Sequence, residues 1–359
     1  MKRTFITTFY ALVTFCAAVA QGAMAKAEFQ QLIDFLTQLS AEDGKTNAQT
    51  LRIDDINLPA DWDGVTLNAD GHVTALRWSD KHLAGRLNLS GFNALTVVDV
   101  SHNRLTSLSL TNCDELLYVN ASFNRISALN LNGCLNLTRL NLASNRLTEI
   151  DLSTNAALSV LNLSRNYFIQ LSLANSSNLR TLNCQGCHIE QLDINGCTAL
   201  QNLYAGYNQL TSLEFVGVTQ LKNVNIDSNR LQTLVISNLP SLGSLLCADN
   251  LLTSLMVREC PILIDLVCSY NDLTSLQIAE CPQLQYVDCS YNDLTTLELN
   301  NFNFLQRLNC SNNQLQTLYL TFDSSLRYIN CRYNQLTTIE TQGSDNIEQI
   351  SGEANLWGE

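Results

Sequence analysis

Apolar residues recur along most of this chain in a pattern that repeats every 21 residues. The first full copy begins at Leu95 and reads LTVVDVSHNRLTSLSLTNCDE, and the next begins at Leu116 and reads LLYVNASFNRISALNLNGCLN. Ten more copies follow without insertion through residue 346. A slightly longer copy precedes them at 73–94, and a partial copy follows at 347–359. Self-similarity at a fixed period predicts a stack of equivalent coils.

Within each copy, positions 1, 4, 6, 11, 14 and 16 are apolar almost throughout, and Thr341 at position 16 of the last full copy is an exception. The spacing of positions 11, 14, 16 and 19 repeats that of positions 1, 4, 6 and 9, so each copy contains two similar halves. Alternation of apolar residues is strand periodicity, and no interval is long enough for a helix. We therefore expect two short strands or extended segments per coil, with a core that becomes continuous only when coils stack.

Position 9 holds Asn in eleven of the twelve copies, and Cys187 in the other. A carboxamide has donors and an acceptor, so it can pair the backbone groups of a buried turn. A thiol is only a weak donor, and we expect a local weak point at Cys187. The predicted structural ladder consists of Asn103, Asn124, Asn145, Asn166, Asn208, Asn229, Asn250, Asn271, Asn292, Asn313 and Asn334.

The template L-x-x-L-x-L/C-x-x-N-x-L resembles the signature of the leucine-rich repeat family, and the doubled half resembles its 21-residue bacterial class. The resemblance covers about three quarters of the chain. It implies a mostly β, right-handed solenoid of about 13 coils with low curvature. It also implies that partners bind to the concave strand face.

The two ends differ from the repeats. Residues 1–25 contain a basic start, an apolar run and two A-x-A sites, which predict a signal peptide cleaved after residue 20 or 25. Residues 26–72 should cap the first coil, with a helix at Glu28–Ser40 whose apolar residues, including Leu39, have helical spacing. Residues 347–359 should form the last, partial repeat. We predict no membrane-spanning segment.

Twelve cysteines follow the predicted signal peptide, and all replace residues of buried columns. We favour free thiols that pack as small apolar side chains, with disulfides as the alternative for an exported protein. Six lie at position 6, five at position 19 and one in the Asn column: Cys184, Cys247, Cys268, Cys289, Cys310, Cys331, Cys113, Cys134, Cys197, Cys260, Cys281 and Cys187.

The formal net charge is −13, and it becomes −15 when Lys2 and Arg3 leave with the signal peptide. This charge argues against binding to nucleic acid. Serines and carboxylates follow the repeat and do not gather around a His, and no nucleotide-binding or hydrolase motif occurs. We therefore expect no enzyme activity, no cofactor and no metal.

Function should depend on the variable, exposed positions 3, 5, 7 and 8, with position 10 at the rim. Toward the C-terminal end these positions become aromatic and apolar, with Asp residues around them. Such a surface favours contact with a protein or a glycan. The predicted partner-binding residues are Tyr204, Tyr207, Leu246, Asp265, Val267, Tyr270, Tyr286, Tyr291, Tyr328 and Tyr333, and the alternative site is Arg104, Arg125 and Arg146 at position 10.

The sequence therefore predicts a secreted or cell-surface interaction module that binds a protein or a glycan. The alternative is a structural or self-associating solenoid with no dedicated ligand. A Thr column at position 12 would suit an ice-binding face, but it lacks the paired T-x-T pattern of such faces.

Overall fold

The computed structural model describes residues 24–174, 176–299, 302–320, 324–341 and 343–356. The predicted signal peptide lies outside the described residues, apart from its last two positions. The chain divides into two compact units between Asn162 and Leu163. The fold class is as predicted, since the chain is mostly β, with few helices and about thirteen coils over the two units. None of the helices in the described ranges is long and apolar enough to cross a membrane.

The first unit begins with a helical cap that differs from the prediction at its C-terminal end. Its helices span Lys26–Leu36 and Asn47–Thr50, and a 3-10 turn spans Pro59–Asp61. Leu39, which the helical spacing placed inward, is 70% exposed. It pairs with Thr46 in an antiparallel bridge. That bridge needs extended backbone, so the helix ends at Leu36 instead of Ser40.

Side-chain amides of the cap cover the open edge of the first coil. The Gln38 side chain accepts from the Arg86 amide at 2.9 Å and donates to the Arg86 carbonyl at 3.1 Å. The buried Asn47 side chain pairs with the Ala84 amide and carbonyl at 3.1 and 2.9 Å. An uncovered strand edge would expose unpaired backbone groups to other chains. These two amides therefore replace the missing preceding coil.

The first unit contains one row of primary strands, which begins with a strand of the cap, and a second row from the other half of most of its repeats. Its first strand pairs antiparallel with the next, and the other neighbours in each row are parallel. The primary strands are Val65–Leu67, Val73–Arg77, Val97–Asp99, Tyr118–Asn120, Arg139–Asn141 and Val160–Asn162, and the second strands are Ala84–Asn88, Arg104–Ser109 and Ala128–Asn130.

The second unit repeats this arrangement with parallel strands in both rows. Its primary strands are Thr181–Asn183, Asn202–Tyr204, Asn223–Asn225, Ser244–Leu246, Asp265–Val267, Tyr286–Asp288, Arg307–Asn309, Tyr328–Asn330 and Gln349–Ser351. Its second strands are Gln170–Ser172, Gln191–Asp193, Leu234–Ser237, Ser254–Arg258, Ser275–Ala279, Thr296–Glu298, Thr317–Tyr319 and Thr338–Glu340.

Register explains why the core is continuous within each unit. Partners on neighbouring primary strands lie 21 residues apart, as in the pairing of Leu203 with Val224 and of Val224 with Leu245. These position-4 side chains are buried, whereas positions 3 and 5 on the same strands are at least partly exposed. Since strand side chains alternate between two faces, one repeat step keeps every Leu column inside.

Candidate functional site

The position-9 Asn residues fix the turn that follows each primary strand. In Asn229, Nδ2 donates to the Ile226 carbonyl at 3.0 Å and to the Ala205 carbonyl of the preceding coil at 3.1 Å. Its Oδ1 accepts from the Leu210 amide at 3.0 Å. All eleven Asn residues of the column are buried. The turn therefore has one fixed shape, which positions the side chains on either side of it.

Cys187 performs only part of this role. Its thiol donates to the Leu163 carbonyl at 3.1 Å, as the Asn residues do to the equivalent carbonyl one coil earlier. The other role, that of hydrogen-bond acceptor, is not filled in the same way. A ladder Asn accepts through Oδ1 from the amide 19 residues earlier, which is Phe168 in this case, and a thiol has no such oxygen. A sulfur atom accepts only weakly, so this coil is tied less firmly to its neighbour.

Positions 5 and 7 form a local cap after each strand, which corrects one prediction. Asn120 Oδ1 accepts from the amide and hydroxyl of Ser122 at 3.3 and 2.8 Å, and Asp288 does the same for Ser290. Position 7 was expected on the exposed face, but Ser122, Ser290 and five other position-7 residues are buried. Small side chains turn back toward position 5, so position 7 contributes little contact surface.

Position 8 adopts a left-handed backbone in every full repeat, with φ between 53° and 66°. L-residues other than Gly, Asn and Asp rarely adopt this conformation, which costs about 1–2 kcal/mol. Several repeats place Gly, Asn, Asp or Ser there, but four in the second unit place tyrosine. We call Tyr207, Tyr270, Tyr291 and Tyr333 the Tyr rim, since they follow the primary strands, and all four are exposed.

Two members of the Tyr rim stack on each other. The rings of Tyr270 and Tyr291 lie 4.3 Å apart with an 8° interplanar angle, although the side chains remain 55% and 45% exposed. A hydrogen bond to Tyr291 raises the pKa of Tyr270, and the Asp288 carboxylate adds to that effect. Exposed Asp249 occupies the same column one coil earlier. The pair therefore presents a rigid aromatic surface beside negative charge.

The other predicted partner-binding residues lie on the primary strands, at positions 3 and 5. Tyr204, Leu246, Asp265, Val267 and Tyr286 are partly buried, and Tyr328 is exposed. With the strands that carry them, they define the strand face of the second unit.

Charge and aromatic groups interact along this strand face. The Tyr286 hydroxyl donates to Asp288 Oδ2 at 3.2 Å, and burial, with help from that carboxylate, raises the pKa of Tyr286 to about 12. The Arg307 guanidinium lies 5.5 Å from the ring centre of Tyr328. Tyr286, Arg307 and Tyr328 also line an open concavity of about 370 Å³. Arg307 and Tyr328 therefore form a cation–π contact on this part of the strand face.

The alternative site lies in the first unit. Arg104, Arg125 and Arg146 follow the ladder residues of three successive coils, and all three side chains are exposed. Arg104 donates to the Ala41 carbonyl of the cap at 3.3 Å. His102 and Phe123, at position 8 of the first two full repeats, stack with ring centres 4.4 Å apart. The first unit therefore offers a basic row beside an aromatic pair.

All twelve described cysteines are free and buried. Burial raises the pKa of the Cys247, Cys268, Cys289 and Cys310 thiols well above its usual range and that of Cys331 to about 11. Their five consecutive coils form a column of sulfur atoms inside the second unit. A thiolate is the reactive form of cysteine, and burial in this column disfavours it.

Sequence reasoning identified seven tyrosines but not the left-handed turn that presents four of them. The signal was available in the same column, where Gly186, Ser228, Asp249 and Asn312 belong to the small or turn-forming types that left-handed positions favour. It also did not anticipate Arg307, because its importance comes from Tyr328 on the next coil.

Solved structures with the same architecture include bacterial leucine-rich repeat proteins. No established sequence family and no curated protein matches the chain. The functional domain of InlJ from Listeria monocytogenes, described as including a cysteine ladder, is 27% identical with a TM-score of 0.52. That alignment covers 72% of this chain and 51% of the other, so this chain spans about half of that structure.

Two further structures extend the likeness. YopM, a leucine-rich effector protein from Yersinia pestis, is 25% identical over 73% of this chain and 78% of its own, with a TM-score of 0.59. An internalin, InlF, from Listeria monocytogenes is 17% identical over 92% and 95%, also with a TM-score of 0.59. The chain therefore shares the leucine-rich repeat fold of these bacterial proteins.

Proposed function

We propose that this chain is an exported protein-binding module whose site comprises the Tyr rim and the strand face of the second unit. The recognition segment is the repeat region 73–346, with 26–72 and 347–359 as caps. Export rests on the sequence of residues 1–25, and the fold shared with internalins supports a role in contact with a partner. This function requires no catalytic group.

The stacked pair of Tyr270 and Tyr291 is the observation that carries the proposal. Both residues hold an unfavourable backbone conformation and leave large aromatic surfaces in water. Neither feature stabilises the coil, because a small turn-forming residue would suit position 8 better. Tyrosine is enriched at binding hot spots, since it brings rigid area and a hydroxyl at small entropic cost. The arrangement is therefore explained by a bound partner.

The acidic residues around the Tyr rim indicate which kind of protein would bind there. Asp249, Asp272 and Asp293 are exposed on the same coils as the Tyr rim or on the coil before it, and Asp265 lies on the strand face. These carboxylates repel acidic ligands and attract cationic ones beside the Tyr rim. A protein that presents Lys or Arg beside apolar residues would complement both the rings and the carboxylates.

The test replaces both tyrosines by the residue that suits a left-handed turn. In Y270N/Y291N, relief of backbone strain of about 1 kcal/mol per residue offsets the lost ring stack, worth about 0.5–1.5 kcal/mol. The double variant should then be about 0.5–1.5 kcal/mol more stable than the wild type. Phe123→Asn, at the same position of the first unit, is the matched control.

The wild-type chain is screened against a display library of extracellular protein domains and against a glycan array. We expect domains that bind the wild type and F123N equally and bind Y270N/Y291N at least about tenfold more weakly. If a domain binds Y270N/Y291N as it binds the wild type but no longer binds R104Q/R125Q/R146Q, the site is the alternative one at Arg104, Arg125 and Arg146. Binding to glycans alone, or self-association without any partner, would refute a protein-binding site at the Tyr rim.

A further inference from the structure

A second groove lies in the second unit, along the turns that follow the second strands. It has a volume of about 1060 Å³ and is much larger than the concavity on the strand face. We define the Pro–Glu groove by Pro240, Pro261, Pro282, Glu259, Glu280 and Glu298. These residues belong to four consecutive coils, and none of them is part of the Tyr rim or the strand face.

The sequence builds this groove by repeating one short segment. Glu259-Cys260-Pro261 recurs as Glu280-Cys281-Pro282 on the next coil, and Asn238-Leu239-Pro240 occupies the coil before. The middle residue of each segment is buried and fixes the turn, while the first and third face outward. Prolines have no N–H donor, so their rings present apolar walls, and Ile278 and Phe302 add apolar surface.

The charged residues that line the groove are all acidic. Among the described residues that line the groove there are three Glu and no Lys, Arg or His. Glu259 lies 4.0 Å from Arg258 Nε, but both side chains are substantially exposed, and such pairs contribute little. Within the described ranges, neither Glu280 nor Glu298 forms an ion pair. The groove therefore attracts positive charge.

Metal ions are a poor match for this charge. No group of three or more Asp, Glu, His or Cys side chains in the described part of the chain is placed to hold a metal ion. The carboxylates are instead spread along three of the four coils, and Glu259 and Glu280 occupy equivalent positions on neighbouring coils, about 4.8 Å apart. A linear array of this kind suits a linear ligand that carries several positive charges.

The dimensions suit a short stretch of polypeptide. Four coils span about 14 Å between the first and last turn, and an extended chain advances about 3.3 Å per residue. The groove thus accommodates about four or five residues. In an extended segment, alternate side chains point the same way, so basic residues can face the carboxylates while apolar residues contact the prolines.

We propose that the Pro–Glu groove is a second interaction surface, which binds an extended Lys- or Arg-containing segment of a partner protein. It acts separately from the Tyr rim, so either surface can bind when the other is disabled. Attraction between the glutamates and basic side chains provides affinity that falls with salt. The prolines and Phe302 provide the apolar contact that a purely ionic site would lack.

The test uses phage-displayed random dodecapeptides panned on the full chain at low ionic strength. Selected clones are compared on the wild type and on E259N/E280N, in which Asn provides the residue that Asn238 already places in this left-handed position. E190Q/E214Q removes two exposed acidic charges elsewhere in the second unit and is the matched charge control. Y270N/Y291N separates this groove from the Tyr rim.

We expect clones that bind E259N/E280N at least about tenfold more weakly, bind E190Q/E214Q and Y270N/Y291N as they bind the wild type, and are enriched in Lys and Arg. Their affinity should fall as salt is raised. The proposal is overturned if panning gives no clone sensitive to E259N/E280N, if the sensitive clones are not basic, or if E190Q/E214Q weakens them equally. Clones lost only in Y270N/Y291N would support the proposed function and not this groove.

Discussion

Replacing a ladder residue should cost far more stability than replacing an Asn on the strand face. Asn229 and Asn225 lie on the same coil, which makes Asn229→Ala and Asn225→Ala a matched pair. Asn229 is 8% exposed and pairs with one amide and two carbonyls described above. Asn225 is partly exposed, and its Oδ1 accepts from the Asp227 amide at 3.2 Å.

The size of the expected loss of stability depends on which hydrogen-bonding groups lose their partner. The Ile226 carbonyl also accepts from Asn250 at 3.1 Å, and the Ala205 carbonyl from Asn208 at 3.0 Å. Both carbonyls therefore keep one hydrogen bond when Asn229 is removed. The amide of fully buried Leu210 loses its bond to Oδ1. An unsatisfied buried group costs about 1–3 kcal/mol, whereas water can replace Asn225, so that change should cost about 0.5 kcal/mol or less.

Urea titration monitored by circular dichroism gives the loss of stability in each variant. Amide hydrogen exchange at Leu210 provides a local measurement, because coils of a repeat protein can open separately. A loss of about 2 kcal/mol corresponds to roughly thirtyfold faster exchange of this amide if it exchanges through reversible opening. Equal losses in the two variants, or unchanged protection of Leu210, would refute the assignment of the ladder.

Three further outcomes follow from the structure. Cys187→Asn should stabilise the second unit by about 1 kcal/mol, because the carboxamide can accept from Phe168; an unchanged midpoint in urea would contradict this. The column thiols should resist a thiol reagent at pH 8 until the chain unfolds, since the pKa of Cys331 is raised to about 11 and thiolate accumulates only as pH approaches that value; rapid modification in the native state would refute burial. Glu28→Ala should loosen the cap, because Glu28 Oε2 accepts from the buried Val73 amide at 2.8 Å. Glu28→Gln keeps an acceptor and is the control. Proteolysis near the N-terminus should therefore be faster in the Ala variant only.

The strands and the core could be predicted because the same apolar pattern recurs in every copy of the repeat. Leu203, Val224 and Leu245 share one column, so a single register places all of them inside. Leu39 was placed wrongly because one short apolar pattern fits both a helix and a bridge, and only the contact with Thr46 decides between them. Local periodicity does not contain that tertiary contact.

The candidate site was predictable by residue type but not by geometry. Tyr270 and Tyr291 are conspicuous in the sequence, yet their stacking depends on the coil spacing and on a left-handed turn that tyrosine does not favour. Position 7 was misjudged because serine suits both an exposed strand and a buried cap. The Pro–Glu groove was missed because its residues lie in the connecting turns, which carry little of the repeat pattern.

The constant register step also has an evolutionary consequence. The side-chain hydrogen bonds of a ladder Asn such as Asn229 go to its own coil and to the preceding one, so one coil is the unit that can be duplicated or lost. An in-frame duplication or deletion of 21 residues keeps every backbone pairing, whereas a change of another length turns leucines toward water. Copy number can therefore vary within a lineage while the exposed columns diverge, and the reach of the binding surface is adjusted by adding coils without redesigning any of them.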